Sequence, residues 1–518
     1  MTSPQGRLRP EHPHSRRVVD LADAFTLVSV AAPAAPDATF TGVTVASGDA
    51  APGDVFVALA GARTHGAVHT PQAVAAGAVA VVTDAEGARV VAALDPAVEL
   101  PVLVTDDPRA LAGHLAAWLH EHPGRSMTTV GVTGTNGKTT TSYFVEAALR
   151  RAHASTVVMG TVELRIGEEA VESPRTTVEA PVVQSMLALG LERGASAAVM
   201  EVSSHALALG RVNGLVLDVA GFTNLQRDHL DFHGDMEGYF AAKAQLFTPG
   251  HARRGVVVVD DAWGRRLRDE ATIPVESVAT HVGAPEGETA DWAVTEADVG
   301  LDGVGSSFTL RGPDARAHHA ASPLPGLVNV SNAALAVVVA HRAGVDLDVA
   351  IDAVAHAHEI PGRMERVIER RPAPDARPLC LVDYAHTPDA LVLALEAVRP
   401  ITPGRLIIVL GSDGDRDRGK RPIMGRIAAR LADVVVVTDE NPRSEEPAAI
   451  RGAILEGVRE ERPDLTDVHE ATTSRTQAIH DALDLAGEQD TIIITGKGHE
   501  PTQEIAGVFH RYNDRDVL

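Results

Sequence analysis

A single cysteine, Cys380, stands in a chain of 518 residues. That excludes an internal disulfide and suits a reducing, cytoplasmic compartment. Aromatic residues reach only 3%, too few for the stacking platforms that hold single-stranded nucleic acid. Basic residues are also short: Lys+Arg total 46 against 70 Asp+Glu, a formal net charge of -24. So acidic a surface repels polyphosphate, which excludes nucleic acid as a partner but leaves room for a local basic loop around one small phosphate ligand. No apolar run approaches the roughly 18 residues of a membrane span, and none is expected. The opening stretch, MTSPQGRLRPEHPHSRR, is basic without the apolar segment of a secretory signal, and residues 1–20 read as a disordered leader.

What is present is the material of an α/β protein. Hydrophobic residues make up 45%, and the length predicts about three domains at roughly 100–200 residues each. Short β-branched runs alternate with Gly-rich or polar turns and Ala/Leu-rich helices, the pattern of parallel sheets. A first block, 21–124, has strands at 54–59 and 78–83 around a helix at 70–76. A second, 125–360, has strands at 128–133, 197–201, 216–223 and 255–260, antiparallel strands across 291–312, and helices near 329–343 and 348–356. Pro361-Gly362 breaks the pattern, as a linker or hinge. A third block, 361–518, has strands at 378–383, 406–410, 434–438 and 491–495. Ligands bind where such strands end, so the loops after them carry the functional reading.

The first of these loops is Gly131-Val-Thr-Gly134-Thr135-Asn136-Gly137-Lys138-Thr139-Thr140. It lies between an apolar strand and a helix, the setting of a phosphate loop: glycines free backbone N–H groups for phosphate, and the helix offers its positive end. Lys138 would reach the β- and γ-phosphates of ATP or GTP, and Thr139 would ligate Mg²⁺. Val132 stands where the strict pattern has glycine. Glu201 ends a second apolar strand, where it would either meet the cation or be a solvated strand-end acid. The run Phe222-Thr-Asn-Leu-Gln-Arg-Asp228-His229-Leu-Asp231-Phe-His-Gly234 follows a third strand. His229 would bind a metal there with Asp228 or Asp231 orienting it, or the run is a polar loop held by its own turns. By spacing alone Lys243 is a surface lysine.

These motifs, in order, resemble the Mur ligase family. The likeness continues through Leu324-Pro-Gly-Leu-Val-Asn-Val-Ser-Asn332, Gly362-Arg363-Met-Glu, Asp383-Tyr-Ala-His386-Thr-Pro, Gly414-Asp-Arg416-Asp-Arg-Gly-Lys420 and Gly496-Lys-Gly-His-Glu500. It implies three α/β domains: a UDP-sugar-binding domain, a central P-loop ATPase-like domain and a Rossmann-like amino-acid-binding domain. The implied chain is a cytoplasmic monomer using ATP and two Mg²⁺ ions. It implies an ATP clamp formed by Gly134 to Thr140 (Gly134, Thr135, Asn136, Gly137, Lys138, Thr139, Thr140) with Asn332, Arg363, Asp383 and His386. Lys243 matches a lysine carbamylated in the family; with His229 it would hold one Mg²⁺, while Thr139 and Glu201 hold the other. Val45, Ser47, Thr176, Thr177, Ser203 and Arg211 match positions that hold a UDP-N-acetylmuramoyl dipeptide. Gly48 replaces the usual arginine and Val178 a common proline.

The chemistry implied is amide formation in peptidoglycan precursor synthesis. The dipeptide carboxylate takes the γ-phosphoryl group of ATP, and the resulting acyl phosphate is attacked by a diamino acid. Lys138, His205 and Lys243 are the candidate catalytic residues, His205 or a nearby carboxylate taking the proton. Closure of the last domain would align the amine and exclude water. The loop Glu440-Asn441-Pro442-Arg443 resembles the Asp-Asn-Pro-Arg of members that add meso-diaminopimelate, whose distal carboxylate an arginine fork recognises. Arg416, Gly496 and Glu500 match the same site. Glu440 is one methylene longer than the usual aspartate, and Pro-Thr-Gln after Glu500 is also unusual. The favoured acceptor is meso-diaminopimelate, with L-lysine or another diamino acid as the alternative. A folylpolyglutamate synthase and a non-catalytic nucleotide binder are further alternatives; the first lacks a uridine-binding domain, and the second has no need of Lys138, Glu201, His229 and Lys243 together.

Overall fold

The computed structural model describes residues 8–30, 37–95, 97–300, 305–371 and 377–518. These described residues form two compact units, one from residue 8 to 277 with 338–350, the other within 278–337 and 351–518. The first unit contains two sheets. One orders its strands Val28–Ser29, Val102–Val104, Ala80–Thr83, Asp54–Val57, Gly42–Thr44, parallel except at the first pair. The other places Thr128–Thr133 between Ala197–Glu201 and Leu217–Phe222, with Thr156–Met159 beyond the first and Ala252–Val258 beyond the second, all parallel. Each strand feeds a helix or polar loop, as the alternating pattern predicts. The sequence reading omitted the edge hairpin Glu163–Ile166 with Glu169–Glu172.

The expected leader is fixed in its described part. Asp54 has a fully buried carboxylate, a state that needs a charged partner, and Arg9 supplies two hydrogen bonds at 2.6 and 2.7 Å. Arg16–Arg17 pairs with Thr39–Phe40, and Arg16 stacks 4.3 Å from the Trp118 ring centroid. Residues 1–7 lie outside the described residues.

The second unit holds an antiparallel ladder, Trp292–Val299, Ser306–Arg311, Ala317–Ser322. It also holds a six-stranded sheet ordered Glu365–Ile368, Leu379–Asp383, Thr491–Thr495, Leu406–Leu410, Val434–Val437, Val468–Glu470. All but the first of these six are parallel. The strands Leu406–Leu410, Val434–Val437 and Thr491–Thr495 are buried throughout, which explains their unbroken β-branched character. Cys380 lies in this core at 0% exposure. No helix among the described residues is long and apolar enough to cross a membrane.

The C-terminal segment is tied to this unit by a buried ion pair, and Arg515 adds a second to Glu365 at 2.8 Å. Arg475 and Asp514, both with fully buried side chains, meet at 2.7 Å, and Arg475 also donates to Thr495 O at 2.9 Å. Breaking such a pair strands a charge, so Arg475→Ala should lose about 3–5 kcal/mol in urea unfolding. A loss below about 1 kcal/mol, the level of a surface pair, would contradict this role.

Candidate functional site

In the first unit the site is built by strand register. Glu201 is paired with Val132, and Phe222 with Thr133, so three strands end on one edge and their loops meet there. Gly134 has φ 145° and Gly137 φ 88°. A Cβ on Gly134 would come within 1.8 Å of Thr223 Oγ1, whose hydroxyl donates to Asn136 O at 2.6 Å. Only glycine lets the loop turn this close. Lys138 begins the helix Lys138–Ala152 and donates back to Gly134 O at 3.0 Å and Thr135 O at 2.8 Å.

Lys243 reaches the same carbonyl. It lies on the helix Met236–Ala244, is 1% exposed, and donates to Gly134 O at 2.7 Å. Its surface reading from spacing is therefore wrong: Tyr239, Phe240 and Ala242 on the same short helix are buried with it. Burial, with the Lys138 charge adding to it, drives the Lys243 pKa well below its ordinary value, which favours the neutral amine.

Glu201 is also buried, at 1% exposure, which excludes the solvated alternative. Its Oε2 accepts from Thr139 Oγ1 at 2.9 Å, and its Oε1 from Thr161 N at 2.7 Å. Thr161, which the sequence reading missed, also lies 3.0 Å from Thr176 Oγ1. Nearby, His205 and His229 have ring centroids 4.8 Å apart, and His205 and His233 5.4 Å. Burial lowers all three pKa values, that of His229 to about 4, which favours the neutral imidazole, the form with a free lone pair. Asp228 Oδ2 sits 3.4 Å from His229 Nε2.

Among the described residues no three His, Cys, Asp or Glu side chains form a closed metal cage. Thr139 and Glu201 still suit Mg²⁺, which is held by one or two carboxylates and completes its shell with substrate phosphates and water.

Of the remaining first-unit candidates, Thr177 Oγ1 donates to Glu201 O at 2.8 Å and accepts from Ser203 N at 3.0 Å. Arg211 pairs with Glu179 at 3.0 Å. Ser47 lies apart from these on the first sheet's loop, donating to Gln72 at 2.9 Å. Val45 lines a cleft with Glu179 and Pro181.

The second unit carries Asn332, Arg363, Asp383 and His386 and the whole acceptor set. Asp383 accepts from Met364 N and Ala385 N, each at 2.8 Å, while Arg363 stacks 4.4 Å from the Tyr384 ring centroid. Asn332 donates to Asn329 Oδ1 at 3.1 Å, and His386 Nδ1 lies 2.8 Å from Tyr384 O. The loop after Val434–Val437 meets the loop after Thr491–Thr495. Arg443, at φ 54°, pairs with Asp413 at 3.1 Å and lies 3.8 Å from Glu504. Pro442 is buried and Arg416 exposed. Asn441 was expected to touch the acceptor, yet its carboxamide is fully used within the protein. It donates to Asp413 at 2.9 Å and Glu500 at 3.1 Å, and accepts from Lys497 at 3.0 Å and Glu504 N at 3.2 Å.

Glu440 is 3% exposed, and its Oε2 has no hydrogen-bond partner. That oxygen would lie 2.4 Å from a Cβ on Gly496, whose φ is 110°.

A phosphate loop closing the carboxyl edge of a parallel sheet, beside a buried acid and a buried amine, is the arrangement of a P-loop fold. Family models assign it further. "Mur ligase family, catalytic domain" matches residues 39–118, "Mur ligase middle domain" 132–340, and "Mur ligase, glutamate ligase domain" 362–498. A Streptomyces coelicolor protein named UDP-N-acetylmuramoyl-L-alanyl-D-glutamate–2,6-diaminopimelate ligase is 47% identical, covering 100% of this chain and 98% of that one. A solved structure of a ligase of the same name superposes with TM-score 0.64 at 32% identity, over 95% of this chain and 96% of that one. Mycobacterium tuberculosis folylpolyglutamate synthase complexed with ADP shares the fold, with TM-score 0.59 at 21% identity over 75% of this chain and 92% of that one. The chain belongs to the Mur ligase family.

Glu440 gives the second unit a pH signature. Burial, then the neighbouring Asp413 charge, pushes its carboxyl from 4.5 to about 8. The folded chain thus keeps a proton that the unfolded chain releases, so stability falls as pH rises from about 4.5 to 8. Glu440→Gln should remove that slope, up to about 1.4 kcal/mol per pH unit. Urea midpoints between pH 5 and 8 should favour the variant increasingly; a pH-independent difference would contradict the assignment.

Proposed function

We propose that the chain forms an amide bond between a diamino acid, meso-diaminopimelate, and the D-Glu γ-carboxylate of UDP-N-acetylmuramoyl-L-alanyl-D-glutamate, cleaving ATP to ADP and phosphate in peptidoglycan precursor synthesis. The observation that carries this is the full-length likeness to a relative named for that reaction, at 47% identity. A folylpolyglutamate synthase is disfavoured because residues 39–118 match the first Mur ligase domain. Domains at 21–124, 125–360 and 361–518 fit the three family matches.

A carboxylate resists an amine at neutral pH because its oxygen leaves poorly. Transfer of the γ-phosphoryl group converts that oxygen into phosphate, a good leaving group. Lys138, folded onto its own loop, is placed to turn its ammonium toward the β- and γ-phosphates. The neutral amine of Lys243 is the form that adds carbon dioxide, giving a carbamate and releasing a proton. Thr139 with Glu201, and carbamylated Lys243 with His229, would hold two Mg²⁺ ions, which when bound neutralise charge on the phosphoryl oxygens. His205, which burial favours in its neutral form, would take the proton that the acceptor ammonium loses before the free amine attacks.

The second unit supports a diamino acid bearing a distal carboxylate. Asp413 and Glu500 offer carboxylates toward ammonium groups, and Arg443 offers a guanidinium fork toward carboxylate. L-Lysine lacks the distal carboxylate for that fork.

Meso-diaminopimelate, L-lysine and L-ornithine offered in parallel should give ADP with meso-diaminopimelate, and only when the UDP-muramoyl dipeptide is present. A clear win for lysine would refute the role of Arg443, and hydrolysis indifferent to both substrates would refute the ligase reading. Lys243→Ala should lose most activity, and added bicarbonate should not restore it; full activity would remove Lys243 from the metal site.

A further inference from the structure

The chain has only four lysines among its 46 basic residues: Lys138, Lys243, Lys420 and Lys497. Two meet on Gly134 O, and Lys420 donates to His386 O at 2.8 Å. Lys497 has no part in the chemistry above, yet its side chain is fully buried. It follows Thr491–Thr495, and its ammonium has three donors and three acceptors: Asn441 Oδ1 at 3.0 Å, Glu500 Oε2 at 3.0 Å and Thr502 O at 2.7 Å. These acceptors come from the loop after Val434–Val437, the turn after Thr491–Thr495, and the first strand of the hairpin Thr502–Ile505 with Val508–Arg511.

The bonds lead to Arg443 by two routes. Asn441, oriented by Lys497, shares Asp413 with Arg443: its Nδ2 donates to Oδ1 at 2.9 Å and Arg443 Nη2 to Oδ2 at 3.1 Å. The hairpin that Lys497 holds at Thr502 grips the Arg443 backbone, which donates to Glu504 O at 3.1 Å and accepts from Ala506 N at 2.7 Å. A tetrahedral ammonium satisfies three acceptors converging on one point, whereas the planar guanidinium of arginine does not.

We propose that Lys497 is a positioning residue for acceptor recognition: its buried ammonium fixes Asn441, Glu500 and the hairpin together, and so sets the place of the Arg443 fork. This rests on the diamino-acid ligase reading. The candidate muramoyl-dipeptide residues lie in the other compact unit, so the dipeptide constant serves as the internal control.

The test compares wild type with Lys497→Arg, which keeps the charge in the wrong shape, and Lys497→Met, which keeps the length without it. Michaelis constants are measured for meso-diaminopimelate and the UDP-muramoyl dipeptide. In both variants the acceptor KM should rise roughly 10- to 100-fold, the scale of losing a charged hydrogen bond, while the dipeptide KM stays within about twofold. An unchanged acceptor KM overturns the proposal. So does an equal rise in the dipeptide constant, or failure of both variants to fold, since either makes Lys497 a support of the whole fold. A wild type that ignores meso-diaminopimelate refutes the acceptor reading instead, and the same comparison is then made with the diamino acid it uses.

Discussion

The pairing of one strand, Thr128–Thr133, with parallel neighbours on both sides is the constraint from which the nucleotide site follows. Register with Ala197–Glu201 and Leu217–Phe222 delivers the phosphate loop, Glu201 and Thr223 to one edge. A slip of one residue would turn every side chain to the opposite face. Glu201 would then leave Thr139, and Thr223 would leave the Asn136 carbonyl. Gly134 completes the arrangement because its missing side chain gives Thr223 its place.

Electrostatics is handled locally within a strongly acidic chain. Two lysine amines share one carbonyl oxygen beside the phosphate loop. Burying both as cations is costly, and the burden falls on the more buried Lys243, which is driven toward the neutral form. In the second unit the strain has the opposite sign: Asp413, Glu440 and Glu500 crowd together, and Glu440 holds its proton. Both sites thus keep a group in its uncommon protonation state, as sites that bind and transform charged substrates often do.

The fold class and most loops were legible because strand, turn and helix follow each other with clear periodicity, and each motif occupies a strand end. Burial across elements was not. Lys243 looks exposed on its own helix because the carbonyl that buries it comes from a loop more than a hundred residues earlier. Glu201 was ambiguous for the same reason. Asn441 matched an acceptor motif, but its four internal hydrogen bonds appear only once loops from two strands meet. Arg475 and Asp514 sit in unremarkable sequence and find each other only in the fold. The basic first residues suggested a leader because the buried Asp54 that holds Arg9 cannot be inferred from local composition. Lys497 did have a signal: lysine is rare here, and each instance lies in or beside a site loop.

The most direct measurement follows oxygen. With ¹⁸O in the D-Glu γ-carboxylate of the UDP-muramoyl dipeptide, turnover in the presence of ATP and meso-diaminopimelate should place one ¹⁸O atom in each phosphate released, because the carboxylate oxygen leaves bonded to phosphorus. Phosphate free of label would show that the carboxylate is never phosphorylated, and the reaction assigned to this site would be wrong.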